Sequence, residues 1–266
     1  MIDKSHRSNI ANNFWCKYIN FRNWIRSKGY RIHATEYPGI YRVVDDNDGI
    51  IFICRKDRRF RYKNGINQAV MSLARTYHLD SLSPKTNGIF IDCGANVGEL
   101  GLWARSCNLS YCAFEPEELE RRCCDLNNFS AKQKTHRFAL WKEDATLVFY
   151  SKPESGDSSL FELDHYEGKK EIEAVALHHI IDPNEFIGTR ILKIEAEGAE
   201  PEVLQGAQKI LQSIDYVTVD CGYERGIDKK HTFVEVNNFL VDHGFRLEKA
   251  GFKRITALYR NVSRNS

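Results

Sequence analysis

IFIDCGANVG, from Ile89 to Gly98, is followed by YCAFEP, from Tyr111 to Pro116. Each is an apolar run that closes on an acid, Asp92 in the first and Glu115 in the second. Between them lie a glycine-bearing turn and a stretch with helical spacing of apolar residues. Strand, tight turn, helix and second strand in that order build one half of a parallel α/β sheet. The turn must let backbone N–H groups approach a ligand closely, which glycine permits because it has no Cβ. Glu115 follows Asp92 by about twenty residues, the spacing at which an acid at the next strand tip accepts hydrogen bonds from ribose hydroxyls.

The glycine pattern discriminates between nucleoside cofactors. A dinucleotide fingerprint reads G-x-G-x-x-G and sets a pyrophosphate on a helix N-terminus. Here Asn96 stands where the second glycine belongs, between Gly94 and Gly98. Asp92, close to the turn, repels a pyrophosphate and attracts an ammonium. S-adenosylmethionine carries an amino-acid head group beside its sulfonium, so it fits where NAD does not.

DCGANVG, then AFEP, then LKIEAEGAEPEVLQGA from Leu192 to Ala207 resemble the FkbM family of methyltransferases. The resemblance runs from about Phe60 to Arg260, and the third motif is its most specific part. It implies a class I methyltransferase fold, α/β with a mostly parallel sheet and helices on both faces. It further implies S-adenosylmethionine as donor and a hydroxyl on a sugar or polyketide-like acceptor. By residue, Asp92, Gly94, Asn96 and Gly98 match the cofactor loop and Glu115 the ribose-binding acid. The family usually reads K-I-D-V-E-G in the third motif, where this chain has Glu195 and Ala196. It usually closes the preceding strand on T-L-D, where Ala176, Leu177 and His178 stand here.

The chain has 266 residues, 42% hydrophobic and 28% charged, enough for one α/β domain with an N-terminal extension. The expected division is an extension over residues 1–63 and a methyltransferase domain over 64–266. A formal net charge of +2 lacks the basic excess of a dedicated nucleic-acid binder. Locally, six cations fall within Arg55–Lys63, which reads as a solvated strand or turn, or else as a landing surface for an anionic acceptor. The eight cysteines have no metal-knuckle spacing and read as reduced structural thiols; no metal site is expected. No membrane span or signal peptide is legible, so a cytoplasmic protein is expected and the three N-x-S triplets read as chance.

Apolar spacing predicts an amphipathic helix over 12–28, with an aromatic face suited to core or oligomer contact. It predicts a hairpin of 40–44 with 50–54, and a helix over 64–79. Strands then alternate with helices: 89–92, 98–107, 111–115, 117–128 and 135–140. Further strands are read at 147–150, 172–176, 191–194 and 216–219, with a helix over 200–211. Thr232 and Glu235 read as a capping box opening the last long helix, which ends at Gly244 before strands at 245–247 and 256–259.

Ligands of an open α/β sheet bind beyond the carboxyl ends of its strands. Asp92, Glu115, Glu195, Glu197 and Asp220 all fall at predicted strand ends. A hydroxyl acceptor needs a general base, and Glu195 or Glu197 is the candidate. If the chain stays extended, Lys193, Glu195 and Glu197 share one face. Glu224 and Arg225 of the following loop are expected to shape the acceptor site. The loop Glu154–Leu160 can contact either the adenine or the acceptor. His178 and His179, adjacent on a strand, face opposite ways and cannot share a metal ion. Two alternatives stay open: a non-catalytic scaffold that keeps the fold, and N-methylation of another acceptor.

Overall fold

The consecutive apolar residues Ile89, Phe90 and Ile91, with Cys93, are buried on both faces of the strand Ile89–Cys93, as a central parallel strand requires. Ile89, Ile91 and Cys93 join one hydrophobic cluster and Phe90 joins another. The structure, a computed structural model, describes residues 4–26, 28–47, 49–152, 158–251 and 253–265.

The chain begins with helix α1 (Lys4–Ile25), followed by strands β1 (Tyr30–Ala34), β2 (Tyr41–Asp45) and β3 (Ile50–Ile53). These strands form an antiparallel sheet in the order β1-β2-β3. A 3-10 helix over Lys56–Tyr62 leads into α2 (Ile66–Thr76). Then come β4 (Ile89–Cys93), α3 (Glu99–Ser106), β5 (Ser110–Phe114) and α4 (Glu118–Asn128). β6 (Ala139–Leu140), β7 (Ala145–Ser151) and β8 (Gly168–Val175) make a small sheet in the order β6-β8-β7. β9 (Arg190–Ile194), α5 (Glu200–Ala207), β10 (Tyr216–Asp220), α6 (Phe233–Asp242), β11 (Phe245–Gly251) and β12 (Thr256–Asn261) complete the chain.

The central sheet runs β11-β12-β10-β9-β4-β5. β5, β4, β9 and β10 are parallel neighbours, and β12 is antiparallel to both β10 and β11. Chain order reverses between β4 and β9, so the switch point, where such sheets bind ligands, opens beyond Cys93 and Ile194. One face of the sheet packs against Val203 and Leu204 of α5 and Val236 and Leu240 of α6. The other packs against Val70 and Ala74 of α2 and Leu100 and Trp103 of α3. This is the class I methyltransferase architecture, α/β and mostly parallel.

Several local expectations change. The cluster containing Phe90 and Trp103 also holds Ile32, Val43, Ile51 and Tyr62, so one core runs across position 63. β1 is an added strand beside the expected hairpin, and the 135–140 strand shrinks to β6 plus an isolated bridge from His136 to Phe114. The capping box does not form: Thr232 Oγ1 donates to Glu200 Oε2 at 2.7 Å instead of capping α6. His178 and His179 lie in a 3-10 turn rather than on a strand. Their rings contact the Gly206 carbonyl at 2.8 Å and Asp144 at 2.9 Å, away from the switch point. All eight cysteines are free thiols. Among the described residues no helix is long and apolar enough to cross a membrane.

Candidate active site

Gly94 turns the chain at the end of β4 with φ +73°, and a Cβ there would lie 2.0 Å from the carbonyl oxygen of Glu195. No side chain fits between the two strand ends, so the turn closes directly against the β9 backbone. Gly98 is needed for a different reason. Its Cβ would meet Asn128 Nδ2 at 2.3 Å and Cys124 Sγ at 2.6 Å, so it serves the contact of α3 with α4. Gly94, Ala95 and Asn96 line the cleft beyond the switch point, which encloses about 290 Å³; Gly98 is not among its lining residues.

The floor of the cleft is ionic. Asp92 and Lys193 are register partners on β4 and β9, and Lys193 Nζ stands 2.9 Å from Asp92 Oδ1. The same ammonium donates to the carbonyls of Cys93 (3.0 Å) and Gly94 (2.8 Å) and lies 3.2 Å from Glu195 Oε2. Burial pulls its pKa down, but Asp92 and Glu195 together raise it above the usual lysine range. Asp92 also accepts from the Tyr111 hydroxyl at 2.8 Å. The carboxylate read from sequence as an ammonium attractor thus already has an ammonium of its own.

Glu195 is held by two cations. Besides Lys193, Arg254 reaches it and also reaches Asp220, tying the ends of β9 and β10 together. Burial lifts the Glu195 pKa, but Lys193 and then Arg254 overcome it and hold the carboxyl at about 2. Such a group stays ionised and is a weak base. Glu197 does not continue an extended run. β9 ends at Ile194, Glu197 has φ +48°, and its carbonyl accepts from Ser159 Oγ at 2.8 Å. The predicted common face therefore covers Lys193 and Glu195 and stops there, although Glu197 still lines the cleft.

Glu115 sits just beyond β5, buried, with Oε2 accepting from the Asn96 N–H at 2.8 Å and Oε1 from the Glu117 N–H at 2.9 Å. Burial pushes its pKa up to about 8 despite these bonds. Glu117 is pulled below the usual range: burial lifts it, but Lys170, Ser151 and Ser158 bind its charged form. Of the loop Glu154–Leu160, residues 154–157 lie outside the described residues. Ser158, Ser159 and Leu160 line the cleft beside Phe138, Ala139, Leu140 and Phe149.

Glu224 lines the cleft, and its Oε2 is buried without a hydrogen bond. Burial first, then the charges of Asp220, Glu195 and Glu200, push its carboxyl to about 8. Arg225 turns the other way. It donates to the Gly198 carbonyl at 2.6 Å and makes two bonds to Glu202, at 2.8 and 2.6 Å, so it builds the loop wall.

Three features were not read from the sequence. Glu200 at the start of α5 accepts from the N–H groups of Ala196 and Gly198, at 3.1 and 3.0 Å, fixing the turn after β9. Burial raises its carboxyl to about 7. Arg254 carries no motif that would have announced it. The basic run at 55–63 is also less solvated than expected. Arg58 is buried against Glu99, its Nη1 donates to Asn96 Oδ1 at 2.8 Å, and Arg55, Arg58 and Arg61 all line the cleft. Buried Arg55 Nη1 and Arg58 Nε have no hydrogen-bond partner, so the wall keeps unused donors.

Residues 92–247 match the methyltransferase FkbM domain. No curated protein matches the chain. Among solved structures, magnesium protoporphyrin IX methyltransferase of Synechocystis PCC 6803, solved with bound SAH, is 12% identical. That comparison covers 94% of this chain and 96% of the other, with a TM-score of 0.40. Sp1610 of Streptococcus pneumoniae is also 12% identical, over 66% of this chain and 65% of its own length, with a TM-score of 0.39.

Proposed function

The chain belongs to the FkbM methyltransferase family, and on that premise we propose that it methylates a hydroxyl of a sugar, glycan or related small molecule, with S-adenosylmethionine as donor. The observation that carries this reading is the pairing, across one cleft, of Gly94 at the end of β4 with the buried carboxyl of Glu115 beyond β5.

The cleft fits the donor group by group. Glu115 keeps lone pairs for ribose hydroxyls, and such donors favour its charged form over the proton that burial now favours. Ala139, Leu140 and Phe149 offer an apolar wall for the adenine. The unused donors of Arg55 and Arg58 suit the carboxylate of the amino-acid head group. Bound there, S-adenosylmethionine supplies an electrophilic methyl group whose departure leaves a neutral thioether.

The protein's own task is then to position the acceptor and take its proton. Glu224 is the base this geometry favours over Glu195 and Glu197. Its side chain lines the cleft and leaves one buried oxygen without a hydrogen bond, whereas Glu195 is neutralised by Lys193 and Arg254. The ionised carboxylate of Glu224 accepts the hydroxyl proton as the oxygen becomes nucleophilic, and with its carboxyl at about 8 the rate should climb as pH rises through that value.

Isothermal calorimetry with S-adenosylhomocysteine on the wild-type chain and on Glu115→Ala tests the cofactor half. Binding to the wild type that is lost in the variant supports the reading. A folded wild-type protein that binds none would remove it. Transfer of a labelled methyl group to a panel of glycosides tests the acceptor half, and label found only on amines would favour N-methylation.

A further inference from the structure

Helix α1 has two apolar faces, and the fold uses one. Cys16, Ile19 and Asn23 are buried, and Asn20 and Asn23 bond the backbone of β1 at Ile32 and Tyr30. On the opposite side Phe14, Tyr18, Phe21 and Ile25 are 75%, 53%, 59% and 60% exposed, and Trp24 beside them is 77% exposed. At about 100° per residue, Phe14, Tyr18, Phe21 and Ile25 fall within an arc of about 60°. This is the longest exposed apolar stripe of the described surface to lie along one element, and such patches on a folded chain mark contact sites.

The charges around the stripe choose among occupants. From Lys4 to Thr35 the chain carries seven Lys or Arg and not one Asp or Glu. Lys17 and Arg22 lie on either side of the stripe, each about 70° from its centre. The Arg22 guanidinium sits 5.6 Å from the Tyr18 ring centroid, and Phe21 and Trp24 stack at 6.2 Å. Two copies of this acid-free helix, laid stripe to stripe, bring like charges together. An anionic lipid surface satisfies both features. Aromatic side chains enter the headgroup boundary while Lys and Arg on the flanks reach the phosphates.

We propose that α1 is an interfacial membrane-docking helix, which lays Phe14, Tyr18, Phe21, Trp24 and Ile25 into an anionic bilayer surface with Lys17 and Arg22 at its edges. The contact lies in the plane of the interface and does not span the bilayer. It is independent of the methyl-transfer reading. It does bear on the cleft, because Trp15 on the inner side of α1 lies under the Lys56 ammonium (4.7 Å) and the Arg59 guanidinium (5.1 Å). Those cations belong to the 3-10 helix whose Arg58 and Arg61 line the cleft. Docking would therefore hold the cleft close to the lipid surface.

The test is co-sedimentation of the full chain with vesicles of phosphatidylcholine alone and of equimolar phosphatidylcholine and phosphatidylglycerol. Binding is expected to the anionic vesicles only, weakening as salt rises. Replacing Lys17 and Arg22 together by Gln should lower vesicle affinity about 25-fold, at roughly fivefold per charge. The double variant Phe21→Ser, Trp24→Ser should lose binding while keeping the wild-type melting temperature, since neither side chain is in the core. No binding of the wild type to anionic vesicles at low salt would overturn the proposal. So would undiminished binding of the serine variant, or a wild-type dimer in light scattering that the serine variant abolishes.

Discussion

Asp92 and Lys193 face one another across the switch point as register partners, with 2.9 Å between carboxylate and ammonium and almost no access to water. The pair sits where the two halves of the parallel sheet meet, and Glu195 and two backbone carbonyls complete the ammonium's surroundings. A buried pair of this kind is a weak source of stability against an apolar alternative but is costly to break.

Lys193→Met is therefore expected to destabilise the fold by about 3–5 kcal/mol, because it leaves Asp92 and Glu195 without their shared ammonium. Urea unfolding of the variant and the wild type measures the loss. A variant within about 1 kcal/mol of wild type would mean that water reaches the pair and screens it.

Gly94→Ala and Gly98→Ala should separate two uses of glycine in one turn. At Gly94 the added Cβ runs into the Glu195 backbone, so the strand ends must part and S-adenosylhomocysteine affinity should fall with stability. At Gly98 it meets the Asn128 and Cys124 side chains behind the cleft, so stability should fall while the folded fraction keeps its affinity. Strain at the positive φ alone contributes about 1–3 kcal/mol at either site. Calorimetry after correction for folded fraction distinguishes the two.

The pH dependence of stability should carry the mark of Glu224. Its folded pKa, about 8, lies above the ordinary value of 4.5, so between those values the native state holds a proton that the unfolded chain releases. Its contribution is fully present below about pH 4.5 and is lost as pH rises through 8. Glu224→Gln should thus melt increasingly above wild type as pH rises from 5 to 8, and the two curves should converge at the acid end. Glu195 acts in the opposite sense: with a folded pKa of about 2, its stabilisation is present above 4.5 and disappears as pH falls toward 2.

Turnover should separate the two carboxylates as well. Glu224→Gln is expected to lower the methyl-transfer rate by about 10²–10⁴-fold, the usual contribution of a general base, with S-adenosylhomocysteine affinity near wild type. Glu195→Gln should instead act through the fold, since Lys193 and Arg254 lose the charge they share. Its stability should drop and its rate per folded molecule should change less. Rates that fall equally in both variants would return Glu195 to the chemistry.

Local patterns made most of the scaffold readable. The apolar runs of β4, β5, β9 and β10, each ending near an acid, identify strands whose carboxyl ends share one edge of the sheet, and the same pattern puts Gly94 and Glu115 just beyond β4 and β5. What escaped was what only tertiary contact creates. Lys193 is one lysine in an apolar strand until its register against Asp92 is known. Arg254 stands 59 residues from Glu195 in the chain and meets it only because β12 lies beside β10. The Arg55–Lys63 run looked like solvent-facing charge because its partner, Glu99, belongs to another element. Thr232 resembled a cap until Glu200 claimed its hydroxyl.

The ammonium of Lys193 grips the carbonyls of Cys93 and Gly94 from the neighbouring strand, which has a kinetic corollary. β4 and β9 cannot splay at their ends without stripping a desolvated cation of three of its four ligands, Asp92 and the two carbonyls, so opening there should coincide with global unfolding and the amides of Gly94 and Glu195 should exchange with solvent among the slowest. The entropy of ordering this floor is lost during folding and not on ligand capture. Discrimination between one acceptor and another is then left to the rim, to the loop that carries Glu224 and the serines opposite it.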